Sequence, residues 1–184
     1  MNISFGALPP RTKYITNNII IGARQNLAGL KQLQQEENIS RVIDLRSSCD
    51  YKKMFEIINC KTLGLKYQNF PLELMNRKTI QEATFNKISQ ILSTNKDEKF
   101  FIHCNSGRHR SMFVASLIKF KDGTLKTIDD FQNFLKQNDF YKLRKKVRLG
   151  FKFALTPEDI KLRTENLDYQ KEQFWNFLTK NNFS

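Results

Sequence analysis

At 184 residues the chain has the length of about one domain, enough to bury a core without disulfide or metal staples. Its 40% hydrophobic and 27% charged residues match an ordinary globular protein and exclude full disorder, and no apolar run reaches the roughly 20 residues that span a bilayer. A formal net charge of +13, from 31 Lys and Arg against 18 Asp and Glu, favours an anionic partner such as nucleic acid, an acidic membrane surface or a phosphorylated substrate, although a solvated Lys-rich surface accounts for the same charge.

In chain order, residues 1–13 read as an extended lead-in with Pro9-Pro10 and without the apolar stretch of a cleavable signal. Ile19-Ile20-Ile21 is a short strand ending at Gly22, and Leu27, Leu30 and Leu33 recur at helical spacing over 27–37. Arg41–Leu45 is a second strand, whose Val42, Ile43 and Leu45 suit a buried parallel sheet. Ser47–Asn59 is ambiguous, and Leu63–Phe70 is a strand closed by Pro71. Thr79 and Glu82 have capping-box spacing before a helix with Ile80, Ala83, Ile88, Ile91 and Leu92 on one face. Lys99–His103 is a third buried strand, followed by a loop and the apolar helix Ser111–Lys121, which stops near Gly123. Thr127 caps a helix carrying Ile128, Phe131 and Leu135 inward. Residues 142–152 are strongly basic and read as a helix face packing its apolar side inward, with an amphipathic membrane or RNA surface as the alternative. Thr156-Pro157-Glu158-Asp159 starts a last helix, with Ile160, Leu167, Phe174 and Leu178 on one stripe. Strands alternating with helices predict an α/β domain with a mostly parallel central sheet.

The chemistry concentrates in residues 103–111, His-Cys-Asn-Ser-Gly-Arg-His-Arg-Ser, between a strand and a helix. Loop N–H groups and a helix N-terminus then converge on one point and form an anion cradle. Gly107 allows a positive φ or close approach, and Arg110 offers two parallel donors to phosphate oxygens. Cys104 lies at the floor, where positive potential favours the thiolate, a nucleophile for phosphoryl transfer, and Ser111 can donate to its sulfur. His103, Cys104 and His109 have no evident fourth ligand and are splayed by strand and loop, so neither a metal nor a cofactor is expected.

This segment resembles the signature loop of the cysteine-dependent protein tyrosine phosphatases, His-Cys-x5-Arg-Ser/Thr, with Gly107 at the expected place. More weakly, Asn17–Asn26, Arg41–Arg46 and Phe70-Pro71-Leu72 resemble the opening strand, a core strand and the approach to the general-acid loop of dual-specificity phosphatases. The resemblance covers roughly residues 15–140. It implies a catalytic domain over 1–140 and a basic helical C-terminal extension, 141–184, packed on the same domain. It also implies a metal-free, two-step mechanism. Cys104 attacks phosphorus; Asn105, Ser106, Gly107, Arg108, His109 and Arg110 hold the phosphate; Ser111 stabilises the thiolate on departure; and His103 orients the loop.

The departure is the general acid. The family carries an Asp upstream of the cysteine, but no Asp occurs between Asp50 and Asp97. Alignment on Phe70-Pro71-Leu72 puts that position at Leu74 or Glu73. Glu73 is the nearest carboxylate, an ordinary surface charge is its alternative, and Glu82 and Asp97 are weaker candidates. Arg108 and His109 are expected to point outward, toward a second phosphate, a headgroup or solvent. Cys49, and less so Cys60, is a candidate to trap an oxidised Cys104 as a disulfide. The expected partner is a phosphorylated protein, with phosphotyrosine and, through a shallow pocket, phosphoserine or phosphothreonine as substrates. Phosphoinositides and RNA 5′-phosphates stay open through the basic surface, as does a phosphate-binding module without turnover. Three cysteines and no cleavable signal point to a reducing, cytoplasmic setting, with secretion by another route compatible.

Overall fold

The computed structural model describes residues 8–47, 52–73, 80–140, 146–148, 151–153 and 155–181. Five strands, β1 (Thr12–Thr16), β2 (Ile19–Ala23), β3 (Arg41–Asp44), β4 (Lys66–Asn69) and β5 (Phe100–Cys104), form one sheet in the order β1-β2-β5-β3-β4. β1 and β2 are an antiparallel hairpin, and every other pairing is parallel. The hairpin's first strand falls partly inside the segment that sequence alone reads as a lead-in. The parallel strands are joined through α1 (Leu27–Glu37), α2 (Lys52–Thr62) and α3 (Glu82–Thr94), as parallel pairing requires.

β5 is inserted between β2 and β3, and all five of its residues are buried. Its Phe100 and Ile102 join the core on one sheet face, with α3, α4 (Arg110–Lys121), α5 (Ile128–Gln137) and α6 (Pro157–Lys180). Its Phe101 joins the opposite core, with Leu30 and Leu33 of α1 and Cys60 of α2. The alternation of β-strand side chains thus fills both layers from a single strand.

Helix ends follow local chemistry. Asn26 caps α1 by accepting from the Gly29 N–H, and Thr127 and Thr156 close full capping boxes with Asp130 and Asp159. α3 differs from its expected start: it begins at Glu82 after Gln81, which makes no side-chain cap, and Thr79 lies outside the described residues. On α3, Phe85 and Ile88 are buried while Ala83 is exposed.

The last quarter departs further. Lys146–Arg148 (β6) and Phe151–Phe153 (β7) pair antiparallel, so the basic run contains a ribbon where a helix face was expected. Lys146, Val147 and Arg148 alternate charged and apolar with the period of two that a strand carries. α6 follows and delivers Leu167, Phe174, Phe177 and Leu178 to the core, while Ile160 stays exposed. Phe174 meets Phe85 at 4.8 Å and Phe113 at 4.7 Å between ring centroids.

Candidate active site

Cys104 ends β5 in a gap between the ends of two neighbouring strands. Its carbonyl accepts from the Arg24 N–H at 2.9 Å, and the carbonyl of His103 accepts from the Leu45 N–H at 2.8 Å. This is a carboxyl-end crevice of an α/β sheet, where ligands bind. Residues 105–109 turn from the strand into α4, and Gly107 makes the turn with φ 74°. A Cβ on Gly107 would lie 2.6 Å from both the carbonyl carbon of Gly22 and the nitrogen of Ala23, so only glycine lets the loop rest on β2.

The Cys104 sulfur lies 3.2 Å from Ser111 Oγ and 3.3 Å from the Gly107 nitrogen, whose N–H donates to it. Burial pushes the thiol pKa up. The Arg110 charge, the Ser111 hydroxyl and backbone N–H donors of Ser111 and Ser106 outweigh it and hold the pKa below the ordinary thiol value. Arg110, first residue of α4, donates from Nη1 to the Leu45 carbonyl at 3.2 Å. The site therefore joins an acidified thiol, a guanidinium and loop amides, the groups that a tetrahedral oxyanion needs.

His103 is fully buried behind the loop. Its Nδ1 lies 3.2 Å from the Cys104 carbonyl and therefore carries the hydrogen, and its Nε2 lies 3.2 Å from Glu56 Oε1. Burial lowers its pKa to about 4, with Asp44 opposing, so the ring is neutral at pH 7. Asp44 accepts from Arg46 Nε at 2.9 Å and from Tyr67 Oη at 2.7 Å, and Arg46 also bonds Glu56. Asp44, Glu56 and His103 could by proximity surround a cation, but the Arg46 guanidinium already bridges the two carboxylates. Glu56 and Arg46 escaped the sequence reading; an Asp and an Arg two residues apart at a strand end was the available signal.

The other expected residues are placed as follows. Asn105 is exposed, while Ser106, Arg108 and His109 are half-buried. His109 does not point outward: its ring stands edge-on to Phe140 at 5.4 Å. Glu73 is exposed and follows the buried Leu72, whose N–H donates to the Leu45 carbonyl at 3.2 Å, the same carbonyl that Arg110 reaches. The backbone beside Glu73 is thus tied to the loop rim. Asp97 precedes β5 at the opposite sheet edge, too far to serve Cys104. Leu74 and Cys49 lie outside the described residues. Cys60 sits in the core on the other sheet face from Cys104, its thiol pushed to about 12 by burial and then by Glu56. Beside the loop a cavity of about 160 Å3 is lined by Arg11, Lys13, Gly107, Arg108, Asn138 and Asp139. Sequence offered no route to the N-terminal members of that set.

The profile of the rhodanese-like domain matches residues 26–138, more than half of the chain and the whole strand–loop–helix unit. The chain belongs to the rhodanese-like domain family. No curated protein sequence matches it. Its fold is that of solved cysteine-based phosphatases, as the loop resemblance implied. The core catalytic domain of the PP-IP phosphatase SIW14 from S. cerevisiae superposes with a TM-score of 0.61 at 14% identity, covering 96% of this chain and 97% of that one. PTPMT1 gives 0.56 at 16% identity over 93% and 99%, and it has also been solved in complex with PI(5)P. Tk-PTP in its active form gives 0.56 at 16% identity over 86% and 97%. Among the described residues, no helix of this rhodanese-like chain is long and apolar enough to cross a membrane.

Proposed function

We propose that this rhodanese-like protein is a phosphomonoesterase that works through a cysteinyl-phosphate on Cys104. The observation that carries the reading is a buried thiol at the end of β5 whose pKa is held below the ordinary thiol value by Arg110, Ser111 and loop N–H donors. In the first step Cys104 Sγ bonds to phosphorus as the bond to the leaving oxygen breaks, and that oxygen takes a proton from Glu73. Arg110 and the amides of residues 105–110 hold the equatorial oxygens. In the second step water loses a proton to Glu73 and attacks phosphorus, the P–S bond breaks, and Ser111 stabilises the departing thiolate. The tether of Leu72 to the Leu45 carbonyl supports Glu73 as the acid.

The basic cavity beside the loop favours a substrate with a second anionic group, such as a phosphoinositide or inositol phosphate headgroup. The PI(5)P complex of PTPMT1, a protein of similar fold, supports that class. Protein phosphotyrosine is the second reading, motivated by the signature loop. Phosphate release from a phosphoinositide, a phosphotyrosine peptide and a 5′-phosphorylated RNA separates the classes. Preference for the phosphoinositide, reduced by Arg108→Ala, is the expected result; preference for the peptide, unaffected by that change, overturns the headgroup assignment. Glu73→Gln should remove one limb of the pH–rate profile on a substrate with a poor leaving group; an unchanged profile removes Glu73 from the mechanism.

A further inference from the structure

Helix α2 is turned inside out for a surface helix. It buries Glu56, which reaches His103, and Cys60, while Met54, Phe55, Ile57 and Ile58 are 69%, 66%, 43% and 53% exposed. These are four of the nine exposed large apolar side chains among the described residues. Scattered exposed apolar residues need no explanation, but four on two helical turns form a patch. Leu27, the first residue of the adjacent α1, is also exposed.

The patch has a definite position and charge. α2 leaves from the edge of the sheet where β3 ends and returns to the edge where β4 begins, in register with the start of β3. Its first turn therefore stands at the edge that carries Cys104, which the Glu56–His103 contact fixes independently. The only acidic side chain of α2 is buried, and Lys61 is exposed at its far end. Lys31 is exposed on the neighbouring α1, and the chain as a whole carries +13. An apolar face with Lys61 at its far end and Lys31 on the neighbouring helix, on a strongly basic protein, complements an anionic bilayer: aromatic and aliphatic side chains enter the headgroup boundary, and lysines meet the lipid phosphates.

We infer that the exposed face of α2, with Leu27 of α1, is a peripheral docking surface for anionic lipid bilayers, and that it sets the Cys104 edge of the sheet beside the membrane plane. The surface stands apart from the reaction assigned to Cys104, so it is tested without turnover.

The experiment is sedimentation of the full chain with phosphatidylcholine vesicles, with and without phosphatidylserine, comparing wild type with the double variant Phe55→Ser, Ile58→Ser. Both positions are solvent-exposed and outside the catalytic machinery, so an unchanged circular-dichroism spectrum and melting temperature report that the variant is folded. The expected result is binding to the anionic vesicles only, weakened about tenfold or more by the double substitution, since each buried apolar side chain contributes that order. Failure of the wild type to sediment with anionic vesicles overturns the proposal. So does equal binding by the folded double variant, which would reduce the effect to net charge. A wild-type dimer that the double variant makes monomeric also overturns it, because a second copy of the chain is then the occupant.

Discussion

Gly107 shows how one atom can set a site. With φ 74° and the backbone of Gly22 and Ala23 2.6 Å from where a Cβ would stand, Gly107→Ala must lift the loop off β2. Turnover should fall by about tenfold or more as the donors lose their aim, with a lower melting temperature. The neighbouring thiol gives a pH test. Because Cys104 titrates below the ordinary thiol value, its alkylation by iodoacetate should persist as pH falls below the usual thiol range. Ser111→Ala removes a donor to the sulfur and should move the midpoint upward; an unmoved midpoint would show that Ser111 does not stabilise the thiolate. Cys60, pushed to about 12 by burial, should stay unmodified at neutral pH in the folded protein. The residues of the loop were legible in the sequence because they are contiguous, and their types dictate the chemistry. The network behind it was not, because Asp44, Glu56, Tyr67 and His103 come from four separate elements.

At the scale of elements, α2 explains why residues 47–59 could not be assigned from pattern. Pattern reading expects apolar residues inward, and here Met54, Phe55, Ile57 and Ile58 face out while Glu56 faces in. The Arg46 guanidinium meets the buried Glu56 and stabilises its charge there. Glu56→Ala should cost about 3 kcal/mol of unfolding free energy in urea, as breaking a buried ion pair does, and Glu56→Gln should cost clearly less because its amide still packs and bonds there. Equal costs would mean that charge alone holds α2 to the sheet. β1 and the β6–β7 ribbon were also missed. β1 is short and follows Pro9-Pro10, and the ribbon's Lys-rich alternation mimics a solvated helix face.

For the whole molecule, a mostly parallel sheet flanked by helices was legible from the strand–helix alternation, whereas its fifth strand β1 and the insertion of β5 between β2 and β3 were not, since pattern carries no information on strand order. That insertion places Cys104 in the crevice between two strand ends. α6 completes the layer behind α4: Phe174 touches Phe85 of α3, Phe113 of α4 and Phe131 of α5. Phe174→Ala should cost about 3–5 kcal/mol in urea unfolding, the range for a buried phenylalanine, if α6 belongs to the same cooperative unit as the site. A cost near zero would make it a separable appendage.

The central claim is that Cys104 carries the phosphoryl group, and hydrolysis of p-nitrophenyl phosphate by wild type and Cys104→Ser, with a chelator present, tests it most directly. This leaving group needs little help from an acid, so the readout does not depend on Glu73. The account predicts turnover that survives the chelator and disappears in Cys104→Ser, with wild type and variant equally folded. No turnover by the reduced, folded wild type, or equal turnover by the variant, would contradict it and leave the loop as a phosphate-binding cradle.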